Sequence, residues 1–233
     1  MKLVFLVVAI LSCVLAQAPS VPAPPQPCYI SKVLTAEIFQ VFFYQGANEQ
    51  NTGTIYIDVP SQLLRFDVVA GFDNFGGVDT TYSVSIFENY NTNIGYVYDQ
   101  SSKTCASVPI TVPLGGGEIP SNSIYAGQIL IGSQPVSEYV FGNAEYKIEV
   151  GITTGSCLLY NVGIYNTTIS GQPNLVLTEA FWNVVPSVSP YIFDPPSVCT
   201  NNLVHFSQLS DETRRKALTA IHALDTRNLA FTV

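Results

Sequence analysis

Cysteine placement constrains this chain more than any other feature. Five cysteines are present, and Cys13 falls in an N-terminal apolar run that reads as a cleaved segment. Cys28, Cys105, Cys157 and Cys199 remain, far apart and without a CxxC pair. An even number of widely spaced cysteines behind a secretion signal predicts two long-range disulfides, not a metal or redox hook. Spacing alone leaves all three pairings open.

The signal itself is Met1-Lys2 followed by LVFLVVAILSCVLA, ending Val14-Leu15-Ala16. One positive charge, a short apolar core and small residues at the end fit a secretory signal peptide over residues 1–16. The run falls short of the roughly twenty residues a spanning helix needs. Residues 17–27 (QAPSVPAPPQP) are proline-rich and read as an extended arm. The remainder suits a single domain, since no internal linker or repeat interrupts it.

Composition narrows the partners. Hydrophobic residues make up 47% and charged ones 11%, which excludes disorder and leaves apolar side chains for a hollow or contact surface. Residues 28–199 hold fourteen acidic and four basic side chains (Lys32, Arg65, Lys103, Lys147), a net of −10. That sign argues against nucleic acid as a partner. It also predicts repulsion from anionic membranes at neutral pH that fades in an acidic compartment, allowing peripheral membrane contact there.

From about Leu34 to Pro186 the pattern is strand and turn. Tyr82, Val84 and Ile86 alternate with Ser83 and Ser85, and Tyr146, Ile148, Val150 and Ile152 with Lys147, Glu149 and Gly151. Period-two alternation marks strands with one buried face. Further strands are expected at 34–44, 54–59, 62–70, 93–99, 124–131, 158–168 and 174–185. Turns are expected at Gln45-Gly46, Asn51-Thr52-Gly53, Asp73–Gly77, Leu114–Gly117 and Ser170–Pro173. Two strands are apolar on both faces: Leu34, Ile38 and Phe42 oppose Phe39, Val41 and Phe43, and Leu175, Leu177 and Phe181 oppose Val176, Ala180, Trp182 and Val184. Such strands are sandwiched between layers or line an apolar hollow. The fold class is all-β, an antiparallel sandwich or half-open barrel.

Residues 200–233 differ. Ser210 can cap a helix over about 211–224, with Ala217, Leu218, Ile221 and Leu224 on one stripe and Asp211 and Glu212 in its first turn. This tail is slightly basic and carries both histidines, His205 and His222, so acid makes it more positive. It reads equally as a packed helix or a mobile tail.

Catalytic signals are weak. The chain has no GxSxG, no HExxH and no phosphate-binding glycine loop, and residues 28–199 contain no histidine. No catalytic residue is assigned, and the protein reads as a non-enzyme. The Asp73–Asp79 turn lacks the ligand spacing of a calcium-binding hand. Asn166-Thr167-Thr168 is a glycosylation sequon in a chain with a secretion signal.

Several stretches together resemble the ependymin-related proteins. They are Gln26-Pro27-Cys28, Tyr98-Asp99-Gln100-Ser101-Ser102-Lys103-Thr104-Cys105 followed by Pro109-Ile110 and Ile119-Pro120-Ser121-Asn122-Ser123, Gly155-Ser156-Cys157 with sequon Asn166 nine residues on, and Phe193-Asp194-Pro195-Pro196-Ser197-Val198-Cys199. The resemblance spans about residues 28–199, taken as the β-domain. It implies two antiparallel sheets curved into a half-open barrel around a hydrophobic pocket, similar to bacterial lipoprotein carriers. It further implies binding of lipids or other hydrophobic ligands without catalysis, secretion or lysosomal residence, and homodimers. Some members are linked to calcium and to cell–matrix adhesion. The resemblance pairs Cys28 with Cys157 and Cys105 with Cys199. The family's further cysteine pair and its sequon near Asn122 are missing, and the tail after about Thr200 has no counterpart.

With a pocket expected, Phe42, Tyr56, Phe66, Tyr82, Val84, Ile86, Tyr96, Ile148, Phe181 and Trp182 become candidate lining residues. Two readings follow. One is a lipid carrier with an internal cavity, binding anionic lipids more strongly as pH falls. The other is an extracellular-matrix or adhesion glycoprotein with a filled core and calcium-dependent association.

Overall fold

The computed structural model describes residues 30–44, 47–72, 78–79, 84–115, 118–167 and 174–231. Tyr82, Cys28, the arm and the signal segment lie outside these.

Twelve strands form: β1 (Val33–Tyr44), β2 (Ala47–Asp58), β3 (Leu63–Phe72), β4 (Val78–Asp79), β5 (Val84–Asn89), β6 (Ile94–Asp99), β7 (Thr104–Pro109), β8 (Ile124–Ile131), β9 (Gln134–Gly142), β10 (Tyr146–Thr153), β11 (Leu159–Asn166) and β12 (Asn174–Val185). Two 3-10 turns, Pro190–Phe193 and Phe206–Gln208, flank a short helix α1 (Val198–Asn201), and a long helix α2 (Asp211–Phe231) follows. No described helix is long and apolar enough to cross a membrane.

The strands pair antiparallel in the order β7-β6-β5-β3-β2-β1-β12-β11-β10-β9-β8, with β4 on β3. The fold is thus all-β with an unclosed sheet and a C-terminal helix. Two meanders meet where β1 pairs with β12, so the two expected sheets are one continuous ladder. The segment from Ile110 to Ser123 carries the chain from one edge of the sheet to the other.

Three sequence expectations change. Asn51-Thr52-Gly53 is the middle of β2, not a turn. Gly53 is required there because a Cβ would stand 1.9 Å from the Asp67 carbonyl oxygen. Residues 104–109 and 134–142 are strands that alternation alone did not mark. The helix runs to Phe231, about two turns beyond the expected end.

The β7 edge is covered by the chain itself. Cys105 is bonded to Cys199, with Cα atoms 5.0 Å apart, and Val204 forms a parallel bridge with Ala106. Cys157 is disulfide-bonded as well. Its expected partner, Cys28, lies outside the described residues.

Candidate functional site: the face of the sheet beneath the C-terminal helix

Residues directly opposite in an antiparallel ladder share a face. Register therefore carries one face across the molecule: Ala106, Val97, Ile86, Phe66 and Ile55 on β7, β6, β5, β3 and β2. From β1 the same face continues through Ile38, Phe181, Ile164, Ile148 and Phe141 to β9. Apart from half-buried Phe141, these side chains are buried in one apolar cluster.

Helix α2 covers this inner face. It packs against β5, β2, β1 and β12. Strands β5 and β12 stand four ladder steps apart, roughly 19 Å along a flat sheet at about 4.8 Å per step. With 21 residues the helix is about 31 Å long, enough to reach from one to the other. Burial agrees: Asp211, Arg215, Leu218 and His222 are its exposed positions, and Thr213, Lys216, Ala217, Thr219, Ala220, Ala223, Leu224, Arg227 and Asn228 are buried.

The expected stripe holds in part: Ala217 and Leu224 are buried and half-buried Ile221 packs on the core, but Leu218 is 43% exposed, and Ala220 and Ala223 complete the contact with the sheet. Small side chains bring the helix backbone close to the sheet. Polar contacts fasten both ends. At the start, Ser210 Oγ accepts from the Thr213 amide at 3.1 Å, the expected cap, and Thr213 Oγ1 donates to Asp99 Oδ2 at 3.0 Å. At the far end, Asn228 Nδ2 donates to Tyr90 Oη at 2.8 Å, and Tyr90 Oη donates to Glu88 Oε2.

The electrostatics follow from this burial. Burial pushes the Glu88 carboxyl up to about 7 against the Tyr90 hydrogen bond, with Asp225 adding to the rise and Arg227 opposing it. Burial likewise raises Glu179, opposed by Arg227 and the Gln40 amide. Asp99 behaves in the opposite way. Burial raises it, but hydrogen bonds from the hydroxyl and amide groups of Ser101 and Ser102 outweigh that and hold it below the usual carboxylate range.

Six candidate lining residues, Phe42, Phe66, Val84, Ile86, Ile148 and Phe181, lie on the inner face. Phe42 packs near the ring of His222, centroids 6.4 Å apart. Tyr56, Tyr96 and Trp182 do not belong with them. Tyr56 pairs with Arg65, and Tyr96 with Phe87, on the outer face. There the Arg65 guanidinium lies 4.8 Å from the Phe87 ring and 5.6 Å from that of Tyr56. Arg65 also bonds Asp67 and the Ile192 carbonyl, which brings the Pro190–Phe193 turn onto that face. Trp182 pairs with Glu37, is 40% exposed and donates its indole N–H to Glu37. Adjacent residues of a strand point to opposite faces, so Phe181 and Trp182 cannot both line one hollow.

Helix α2 covers much of the inner face. Among the described residues, a void of about 40 Å³ lies at the helix end, bordered by Ile30, Leu34, Ile57, Leu114, Leu159 and Arg227. That holds a few water molecules, not an acyl chain. Among the described residues, no group of three or more His, Cys, Asp or Glu side chains is placed to hold a metal ion. Asn166 ends β11, half-buried, and Thr168 of its sequon lies outside the described residues.

Sequence reasoning missed the polar residues of this face: Gln40, Asn51, Glu88, Glu179, and Arg227 and Asn228 of the helix. A signal existed for three. Gln40 is in phase with Ile38 and Phe42, Glu88 with Val84 and Ile86, and Glu179 with Leu177 and Phe181.

No family model matches the chain, and no curated protein matches it. Solved structures do. An uncharacterized conserved protein from Thermus thermophilus is similar over 72% of this chain and 88% of its own, at 9% identity and a TM-score of 0.44. A LolA superfamily protein from Nitrosomonas europaea is similar over 72% and 92%, at 8% identity and a TM-score of 0.33. A putative outer membrane lipoprotein-sorting protein domain from Vibrio parahaemolyticus is similar over 80% and 91%, at 8% identity and a TM-score of 0.30.

Proposed function

We propose that this chain is a secreted or endolysosomal carrier of the ependymin-related type. It works without catalysis and holds a lipid or other hydrophobic small ligand against the inner face of its sheet. The observation that carries this reading is the match between that face and its cover. An apolar surface running from Ala106 to Phe141 is met by a helix whose contact stripe is largely alanine, with Thr213, Lys216, Arg227 and Asn228 buried at its flanks and ends. A helix of this composition gains little from the burial, since alanine side chains carry little apolar area. An acyl chain laid on the same face gains about 0.8 kcal/mol per buried CH₂. In this reading α2 occupies the ligand's place and gives way to it. Anionic lipids are the ligands favoured at acidic pH, where the chain's net negative charge falls.

Native mass spectrometry with lipid extraction, on protein purified from a secreting host, tests the proposal. Bound fatty acid or phospholipid supports it. A ligand-free mass that also refuses added lipid at pH 5 contradicts it and moves the reading to a calcium-dependent matrix glycoprotein.

A further inference from the structure

Three of the polar side chains that interrupt the apolar inner face lie in one row. Gln40 on β1 is directly opposite Glu179 on β12 and Asn51 on β2. Gln40 is 0% exposed, Asn51 3% and Glu179 1%. Along their strands they are framed by Ile38 and Phe42, and by Leu177 and Phe181. Val162 closes the row on the β11 side.

One hydrogen bond joins the row: Gln40 Nε2 donates to Glu179 Oε1 at 2.6 Å. Because that amide nitrogen is committed to the carboxylate, the orientation of Gln40 is fixed and its Oε1 is an acceptor. Gln40 Oε1, Glu179 Oε2 and Asn51 Nδ2 are buried without a hydrogen-bond partner among the described residues. Arg227 exerts its charge on Glu179 from α2, yet its own Nη1 is also buried and unpartnered among them. An unmade hydrogen bond at a buried polar atom is destabilising, so a row retained for stability alone would be apolar or fully paired. The alanine stripe of α2 offers it neither donors nor acceptors.

We propose that the Glu179–Gln40–Asn51 row is the polar subsite of the ligand hollow and receives the hydroxyl of a long-chain alcohol or other hydroxyl-bearing lipid. The inference rests on the carrier reading above and names the ligand class for it. A hydroxyl both donates and accepts. It gives its proton to Gln40 Oε1 and accepts from Asn51 Nδ2, while its chain lies along Phe42, Phe181 and Leu177. A ligand without that proton leaves Gln40 Oε1 unpaired. Sites built to bond a hydroxyl reject such analogues strongly.

The test compares hexadecan-1-ol with 1-methoxyhexadecane on the full-length protein, by displacement of a fluorescent fatty-acyl probe. The expected result is at least a tenfold preference for the alcohol. Glu179→Gln and Gln40→Met are expected to erase most of that preference while both compounds still bind. Equal affinity of the wild-type protein for the two compounds overturns the subsite and leaves the carrier reading standing. Loss of all binding, to either compound and at any pH, overturns both. Should a variant fail to fold, the wild-type preference and the other variant still decide the matter.

Discussion

Glu88 shows how one buried residue sets the pH response. Its carboxyl is 4% exposed, and its pKa is raised from the ordinary 4.5 to about 7. A carboxyl raised on folding contributes stability that is fully present below its unfolded value and is lost as pH rises through its folded one. The rise corresponds to about 3 kcal/mol. Glu179 and Asp225, also raised, act with the same sign. Asp99, held low, acts with the opposite sign, but only in strong acid. The protein is therefore expected to melt at higher temperature at pH 5 than at pH 8, with Glu88→Gln flattening much of the difference. Thermal melts across that range check this. Equal slopes for the two proteins would contradict the assignment to Glu88. The phase of Glu88 with Val84 and Ile86 placed it on their face, but its raised pKa was not legible in the sequence. Its burial comes from the end of α2, more than a hundred residues away, through Asn228 and Tyr90.

At the scale of elements, α2 was legible as a helix and illegible as a cover. Ser210 and the two acids behind it gave its start. Hydrophobicity chose Ala217 and Leu224 of its buried stripe correctly but not the rest, because the sheet also meets Ala220 and Ala223 and leaves Leu218 in solvent. Ala220→Leu places a larger side chain in a position with no exposure. Overpacking of this kind costs about 1–3 kcal/mol. That cost falls on docking of α2, so ligand affinity is expected to rise about tenfold, read by probe titration. Unchanged or weaker binding with the fold intact would argue that α2 does not compete with ligand. The strands were more legible, since a period of two survives wherever one face is buried, as at Val84 and Ile86. β2 hid because Asn51-Thr52-Gly53 has turn composition, although Gly53 is there for a close approach by β3 and Asn51 for the polar row. Tyr56, Tyr96 and Trp182 were misplaced for another reason. Aromatic character does not say which face a residue is on, and Tyr56 and Tyr96 are held outside by Arg65 and its neighbours.

On the scale of the whole molecule, an unclosed sheet needs both its edges and its inner face managed. The Cys105–Cys199 bridge does part of both tasks. It fixes the tail to the β7 edge and keeps α2 tethered near the face it covers, so a displaced helix stays close at hand. The bridge spans 94 residues, and chain entropy puts its stabilising effect at up to about 4–5 kcal/mol. A Cys105→Ser/Cys199→Ser variant is expected to lose a large part of that in denaturant titration and to expose the tail to protease. A variant as stable and as resistant as the parent would remove the tether from the account. The fold class and the greasy two-faced strands were visible in the sequence. That the chain's own helix would cover the inner face was not, because the contacts making it join residues far apart, such as Asp99 with Thr213.

In the proposed carrier, ligand and α2 compete for one face. Hydrogen exchange of the full-length protein, with and without saturating palmitate, tests this most directly. Amides from Thr213 to Asn228 are expected to exchange faster when lipid is bound, while β1 and β12 stay protected. Lipid that binds yet leaves α2 as protected as before would contradict it.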